Sequence, residues 1–285
     1  MNEPGPAPGP CEPLTLARPE PKIAAMSTLK EIRRKVAAGE LVIGSHVSLL
    51  DPGISELLAD VGYDFLWIDT EHSAIDRGSL QAHLIAARAG GAAAFVRIPW
   101  NDPVLLKPVL EMGPDGVVIP MVRTAEEARG AVAACLYPPA GIRGFGPRRA
   151  VRWGMVPAEQ YIREAASSFW RIMQIEHVDA VNNLEAIVAV EGVDAIVVGP
   201  NDLSGSVGLL GQTRHPEVLK LCDRIVEVAK RRGMPLGVSI GDDPAVVRSW
   251  IERGVDWIAT GGDTGHLLAG ARRALEQARA GRGRG

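Results

Sequence analysis

Two carboxylates and a histidine follow an apolar run in the stretch FLWIDTEH, residues 65–72. Asp69, Glu71 and His72 are residue types that exchange protons or bind metal ions, whereas the residues before them have the character of a buried strand. Charged groups beside a core are costly unless a partner, water or a metal ion compensates them. The stretch therefore predicts a site at which a cation or another charged group meets these side chains.

Further polar residues end other apolar runs of the chain. Arg97 lies in FVRIPWNDP, Gln174 and Glu176 lie in MQIEH, and Asp202 lies in VVGPNDLS. The carboxylates of Glu176 and Asp202 come from neighbouring runs, and two close carboxylates repel each other unless a proton or a cation lies between them. Oxygen ligands favour Mg²⁺ or Mn²⁺, with Co²⁺ as a further candidate. The alternative is that Arg97 neutralises this pair of acids.

Arg97 also suits an anionic substrate, because its planar guanidinium binds carboxylate or enolate oxygens. A metal ion beside an arginine would polarise the carbonyl of a 2-oxo acid and stabilise its enolate. His72 is the predicted acid–base group, since imidazole titrates near pH ~6.5, and Asp69 is predicted to hold its ring. No lysine ends a strand-like run, which disfavours Schiff-base chemistry.

Each of these polar residues lies at or just after the end of a predicted strand, and the strands alternate regularly with predicted helices. Short apolar runs are predicted as parallel strands buried on both faces, at residues 41–46, 64–69, 93–98, 116–121, 170–176, 193–199, 235–240 and 256–261. Eight such units match a single (β/α)8 TIM barrel of the α/β class better than a doubly wound sheet, since no GxGxxG follows the first run. The carboxyl ends of barrel strands form the active site, so the polar residues are expected to converge there.

Composition narrows the classes of function. The 285 residues are 46% hydrophobic and 23% charged, and the formal net charge is −3. This charge gives no general attraction to nucleic acids or anionic membranes, and no apolar run is long enough to span a bilayer. Cys11, Cys135 and Cys222 are scattered, which favours a reducing, cytoplasmic location. We therefore expect small-molecule partners and neither a nucleic-acid nor a membrane partner.

Domain limits follow from proline and glycine content. Residues 1–26 are rich in proline and lack the apolar centre of a signal peptide, so they are predicted to be a disordered leader, with Met26 as an alternative start. Residues 27–280 are predicted to form one barrel domain. Residues 281–285, GRGRG, are predicted to be a disordered tail.

Six stretches carry a resemblance to a known family: GYDFLWIDTEH, VRIPWNDP, VVIPMVRTAEEA, YPPAGIRGFG, MQIEH and VEGVDAIVVGPNDLS. Over about residues 28–275 the chain resembles the HpcH/HpaI aldolase family of metal-dependent class II pyruvate aldolases. The resemblance implies reversible aldol cleavage of a 4-hydroxy-2-oxo acid to pyruvate and an aldehyde, through a metal-stabilised enolate. It also implies a homohexamer, a dimer of trimers that exchanges the last helix between subunits.

The resemblance assigns roles to the strand-end residues. It implies that Glu176 and Asp202 bind the divalent metal and that Glu71 holds water bound to this metal. It further implies that His72, oriented by Asp69, is the acid–base group.

Substrate contacts are implied for a second set of residues: Arg97, Gln174, Gly199, Pro200, Asn201 and Asp202. Four more residues are expected to line the pocket, namely His46, Thr70, Trp100 and His177. Three residues depart from the family pattern, because Thr70 replaces glycine, His177 replaces threonine or serine, and Asn201 replaces alanine. The polar groups of His177 and Asn201 leave open a different acceptor or reaction.

Two alternatives to aldol cleavage remain at this point. The same enolate can come from decarboxylation of oxaloacetate, which would make the protein an oxaloacetate decarboxylase or a biosynthetic enzyme that forms carbon–carbon bonds. The alternative from another class is a barrel that binds a 2-oxo acid without turnover.

Overall fold

A closed barrel of eight parallel strands forms the centre of the molecule, in a computed structural model that describes residues 28–281. Neighbouring strands pair in chain order, and the last strand closes the barrel against the first. The strands are β1 (Val42–Val47), β2 (Phe65–Asp69), β3 (Ala93–Arg97), β4 (Gly116–Ile119), β5 (Trp170–Ile175), β6 (Ala195–Val198), β7 (Leu236–Ile240) and β8 (Trp257–Gly262). The predicted (β/α)8 barrel is confirmed, and each predicted strand is present.

Helices surround the barrel and connect its consecutive strands. Those in the described part of the chain are α1 (Thr28–Ala37), α2 (Gly53–Val61), α3 (Arg77–Gly90), α4 (Pro103–Met112), α5 (Ala125–Cys135), α6 (Ala158–Ala165), α7 (Val178–Asn182), α8 (Leu184–Val188), α9 (Pro200–Ser206), α10 (Pro216–Arg232), α11 (Pro244–Arg253) and α12 (Asp263–Gly281). No helix within residues 28–281 is both long and apolar enough to cross a membrane.

Aromatic side chains fill the interior of the barrel. Phe65, Trp67, Phe95 and Trp257 are fully buried, and their rings contact one another. Glycine makes room for them, because a Cβ atom at Gly237 would lie only 2.0 Å from the Trp257 ring. This packed aromatic layer closes the barrel interior, and we refer to it as the aromatic floor. The side chains at the carboxyl ends of the strands lie above it.

The last helix, α12, leaves the barrel after its first turn. Asp263 is buried and His266 is half-buried, but residues 267–280 are all exposed. The predicted leader and tail lie outside the described residues, except that Gly281 is the last residue of α12.

Candidate active site

Asp69 and Arg97 form the closest charged pair at the carboxyl ends of the strands. They are register neighbours on β2 and β3, so their side chains meet above the aromatic floor. Arg97 donates from Nη2 to Asp69 Oδ2 at 2.6 Å and from Nε to Asp69 Oδ1 at 3.0 Å, a two-pronged geometry. Burial alone would raise the pKa of Asp69, but the Arg97 guanidinium holds that pKa below its usual value.

Glu71 contacts the same arginine through an ion pair rather than a hydrogen bond. Arg97 Nη1 lies 3.1 Å from Glu71 Oε2 in an ion pair. This oxygen is buried and accepts no hydrogen bond from the described residues. Burial raises the pKa of Glu71, against the opposing effect of the Arg97 charge. With ion pairs but no hydrogen bond among the described residues, this oxygen can accept a further ligand.

Glu176, which follows β5, is held in place by three neighbours. Its Oε1 accepts the backbone N–H of Met121 at 2.8 Å, and its Oε2 accepts a hydrogen bond from the Gln174 amide. A Cβ atom at position 199 would lie 2.7 Å from Oε2, so Gly199 leaves the space that this carboxyl group occupies. Burial raises the pKa of Glu176 to about 7, and the charges of Asp202 and Glu71 act in the same direction.

Asp202 lies in the first turn of α9, directly after β6, and is half-buried. Its charge raises the pKa of both Glu176 and Glu71, so these three carboxyl groups interact. Within residues 28–281 the ion pairs of Arg97 go to Asp69 and Glu71. The alternative in which Arg97 neutralises Glu176 and Asp202 is therefore not what the structure shows.

His72 differs from the expected arrangement, because the Asp69 carboxylate does not hold its ring. Asp69 Oδ1 instead accepts the backbone N–H groups of Glu71 at 3.0 Å and His72 at 3.3 Å. The Asp69 carboxylate does not reach the His72 ring because both of its oxygens already accept hydrogen bonds from Arg97. The His72 ring is 63% exposed, and its Nε2 lies 3.7 Å from Glu71 Oε2. Asp69 thus shapes the loop that carries His72, and Glu71 is the acid nearest to the ring.

The other residues expected to line the pocket have varied roles. The Thr70 hydroxyl donates to the Arg97 carbonyl at 2.6 Å and ties the ends of β2 and β3 together. His177 precedes α7, and its Nδ1 accepts the backbone N–H of Asp179 at 3.1 Å, so this nitrogen caps a helix. Trp100 is about half exposed. His46 lies inside the barrel mouth, where its ring packs 5.5 Å from that of Trp67.

The structure adds two contacts that the sequence reasoning missed. Ser239 on β7 bonds to His46 across the barrel mouth at 2.9 Å. It is a polar residue near the end of an apolar run, so the rule that identified Arg97 could also have found it. The Met121 backbone, with a left-handed φ of 55°, contacts Glu176 through its N–H. Nothing in the residue types around Met121 signals that contact.

Comparison with known proteins identifies the family of the chain. The family model described as HpcH/HpaI aldolase/citrate lyase matches residues 43–269. A 4-hydroxy-2-oxovalerate aldolase of Novosphingobium aromaticivorans is 40% identical over 234 residues, which are 82% of this chain and 88% of that protein. A 4-hydroxy-2-oxo-heptane-1,7-dioate aldolase of Salmonella paratyphi C is 38% identical over 236 residues, with 82% and 89% covered.

A solved structure gives the same result for the fold. A crystal structure of an HpcH/HpaI aldolase/citrate lyase family protein from Burkholderia cenocepacia matches with a TM-score of 0.83 and 33% identity. The match covers 88% of this chain and 99% of that one. Fold and site together define a (β/α)8-barrel enzyme with its polar residues at the strand ends. The chain belongs to the HpcH/HpaI aldolase family, and the predicted class, a carbon–carbon lyase of the aldolase type, is confirmed.

Proposed function

We propose that the protein catalyses the reversible cleavage of a 4-hydroxy-2-oxo acid to pyruvate and an aldehyde. The observation that carries this proposal is the group of Glu71, Glu176 and Asp202, in which burial, aided by the charges of the two neighbouring acids, raises the pKa of Glu176 to about 7. Relatives that are 38–40% identical are named as aldolases of such acids, which supports the same reaction here.

The residues present fit a divalent metal ion at this cluster. Buried Glu71 Oε2 and Gln174 Oε1 accept no hydrogen bond within the described residues, and the acids carry more negative charge than Arg97 balances. Residues 28–281 contain no group of three or more histidine, cysteine or acidic residues placed to hold a metal by themselves. Two carboxylates, Glu176 and Asp202, are nevertheless sufficient for Mg²⁺ or Mn²⁺, which retain water and substrate ligands. Such an ion, with Co²⁺ as a further candidate, would supply Lewis-acid polarisation of the substrate ketone.

Arg97 is proposed to bind the anionic end of the substrate. A guanidinium carries five N–H groups. Asp69 takes two of them and Glu71 faces a third, so two remain for the carboxylate or for the oxygen that gains charge as the bond breaks. The fork to Asp69 fixes the guanidinium plane before substrate binds, so the donors need not reorganise during the reaction. The backbone of residues 199–201 and the Gln174 amide are proposed to complete this side of the pocket.

His72 is proposed to move the proton. Its Nε2 would accept the proton of the C4 hydroxyl while the C3–C4 bond breaks and the aldehyde forms. The protonated ring then gives this proton to C3 of the enolate, which becomes pyruvate, and the reverse reaction runs through the same two proton transfers. Glu71, 3.7 Å away, stabilises the protonated ring between these two events.

Pyruvate release from 4-hydroxy-2-oxopentanoate tests this function. We expect chelation with EDTA to lower the cleavage rate by at least about 100-fold, since Lewis-acid polarisation contributes several kcal/mol. Added Mg²⁺ or Mn²⁺ should restore the rate. Full activity after exhaustive chelation would contradict the mechanism. Oxaloacetate decarboxylation without any aldol cleavage would instead favour the decarboxylase alternative.

We further propose that α12 packs against a second copy of the chain in a homo-oligomer, with a hexamer as the expected form. Leu267, Leu268 and Leu275 are each at least half exposed on a helix that buries almost nothing after its first turn. A helix gains most of its stability from packing an apolar face, so a projecting helix of this length indicates a missing partner surface.

Replacing the three leucines of α12 by glutamate is expected to dissociate the oligomer, as measured by light scattering after size exclusion. The matched control is Arg273→Glu, which places one charge change on the opposite side of the same helix and should leave the mass unchanged. A monomeric wild type, or an oligomer that survives the triple substitution, would contradict the proposed assembly.

We propose a cytoplasmic location for the protein. Cys135 and Cys222 are buried, unpaired thiols, and burial raises the pKa of each to about 12. Such thiols neither form disulfides readily nor require an oxidising compartment. Recovery of the protein in a secreted or periplasmic fraction would contradict this location.

A further inference from the structure

The turn that follows β4 contains a residue in a left-handed backbone conformation. Met121 has a φ of 55° and comes directly after Pro120 in this turn. Proline in the second place of a turn and a positive φ in the third are the pattern of a type II turn. Glycine or asparagine ordinarily takes that third place, because other side chains crowd the backbone there. Met121 thus adopts a backbone conformation that its own side chain disfavours.

The neighbours of Met121 hold the chain in this conformation. Pro120 and Val122, on either side of it, are buried. Thr124 then begins α5 with a capping box that it forms with Glu127. A strained backbone conformation persists where the surrounding structure fixes it in this way, and such residues concentrate at functional sites.

The N–H group of Met121 is directed at a proposed metal ligand. It donates to Glu176 Oε1 at 2.8 Å, while the Gln174 amide donates to Glu176 Oε2. Each oxygen of a carboxylate has two acceptor positions, so each keeps one for an ion. Rotation of the peptide group between residues 120 and 121 to a negative φ would carry the N–H group away from Glu176. This hydrogen bond therefore depends on the left-handed conformation.

The other left-handed residues make no such contact. Arg152 and Trp153, in the connection between α5 and α6, also have a positive φ. Their N–H groups donate to the backbone carbonyl oxygens of Arg149 and Arg148, so they stabilise a local turn. Within residues 28–281, Met121 is the non-glycine residue whose positive φ directs an N–H group at an acidic side chain.

We propose that Met121 is a positioning residue for the divalent ion, whose left-handed backbone fixes the Glu176 carboxylate in the orientation that binds the ion. This inference rests on the proposed metal-dependent function and deepens it. The backbone N–H group of residue 121, and not the methionine side chain, has this role. Carboxylates that bind metal ions are commonly held by such donors, and loss of one donor weakens metal binding by about 10- to 100-fold.

Three substitutions separate a role of the backbone from a role of the side chain. Valine is apolar, as methionine is, but it is β-branched and strongly disfavours a positive φ, whereas glycine and asparagine adopt it readily. We expect Met121→Val to weaken Mn²⁺ binding, followed by electron paramagnetic resonance, by about 10- to 100-fold. Met121→Gly and Met121→Asn should retain the wild-type affinity. A role of the side chain predicts the opposite order.

The matched control is Trp153→Val. It places the same β-branched residue at another positive φ, of 60°, and Trp153 is exposed. The N–H group of this residue donates to a backbone carbonyl oxygen and not to an acidic side chain. The control should therefore leave Mn²⁺ affinity unchanged.

A second measurement does not depend on the folding of Met121→Val. In protein labelled with ¹⁵N-methionine, the signal that is missing from Met121→Gly identifies the Met121 amide. This signal should shift when Mg²⁺ is added to saturation, because the carboxylate that accepts its hydrogen bond then binds the ion. A signal that does not move would overturn the inference.

The outcomes separate this inference from the proposed function. If Met121→Val binds Mn²⁺ at least as tightly as the glycine and asparagine variants, the positioning role of Met121 alone is wrong. A wild-type protein that binds no Mn²⁺ would instead contradict the proposed metal-dependent function.

Discussion

Glu176→Gln is expected to lower the rate of aldol cleavage by at least about 1,000-fold and, at the same time, to stabilise the metal-free protein. The activity falls because one of the two proposed metal ligands loses its charge, and Lewis-acid polarisation is worth several kcal/mol. Glutamine has nearly the shape of glutamate and can still accept the Met121 N–H group. Gln174 can turn its amide, whose oxygen has no other partner within the described residues, toward the new NH₂ group.

The expected gain in stability follows from the pKa of Glu176, which burial and neighbouring acids raise from 4.5 to about 7. Between these values the folded, metal-free protein binds a proton that the unfolded chain has released. Stability therefore falls as the pH rises through this window, and the full cost is present above pH 7. Removing the charge should increase the free energy of unfolding at pH 8 by up to about 3 kcal/mol. Thermal unfolding with EDTA present, at pH 5 and pH 8, measures this difference.

Asp115→Asn is the matched control for Glu176→Gln. Burial also raises the pKa of Asp115, but this residue precedes β4 at the opposite end of the barrel and accepts hydrogen bonds from Thr28 and Ala94. Its substitution should leave the rate and metal requirement of the folded enzyme unchanged. A Glu176→Gln variant that retains its rate, or that is destabilised at pH 8 in the absence of metal, would contradict the account.

Arg97→Lys is expected to lower kcat by about 100- to 1,000-fold, the usual effect of losing a preorganised donor to a developing negative charge. Lysine keeps the positive charge but cannot reproduce the two parallel hydrogen bonds to Asp69 together with the ion pair to Glu71. The variant should also unfold more easily, by about 1–3 kcal/mol, because a buried carboxylate loses a hydrogen bond. Steady-state kinetics and urea unfolding measure the two effects separately.

Arg171→Lys separates stability from catalysis in this test. Arg171 is another buried arginine, on β5, and its Nη2 lies 2.7 Å from Asp194 Oδ2. It contacts the carbonyl groups of residues 166 and 192 at the amino end of the strand. We expect Arg171→Lys to cost similar stability but to leave kcat within about twofold. Equal losses of kcat in both variants would indicate that the Arg97 effect reflects the fold alone.

The fold could be predicted because the apolar runs and the helical patterns between them both indicate a (β/α)8 barrel. The strands are continuous apolar runs, as expected of strands that are buried on both faces. Helices with apolar residues at threes and fours separate them, as in α10. The strand ends could be placed for the same reason, since Asp69, Arg97 and Glu176 interrupt apolar runs at the carboxyl end.

The partners of the charged groups could not be read from the sequence. For Asp69 the sequence indicated the His72 ring, three residues on, as the partner, and it gave no sign of the contact with Arg97 on the next strand. The strand register decides for Arg97, and register is a tertiary property. His177 appeared as an added pocket group, but its position before α7 makes it a helix cap. The Met121 N–H contact depends on a left-handed backbone conformation, which nothing in the local residue types requires.

Mn²⁺ binding tests most directly the central claim that Glu176 and Asp202 jointly hold one divalent ion. Free Mn²⁺ is followed by electron paramagnetic resonance during titration at pH 8, where the Glu176 carboxyl group is ionised. The account predicts one site per chain in the wild type and affinity at least about 100-fold weaker in both Glu176→Gln and Asp202→Asn, since each removes a charged ligand. Wild-type affinity in either variant, or a wild-type protein that binds no Mn²⁺, would contradict it.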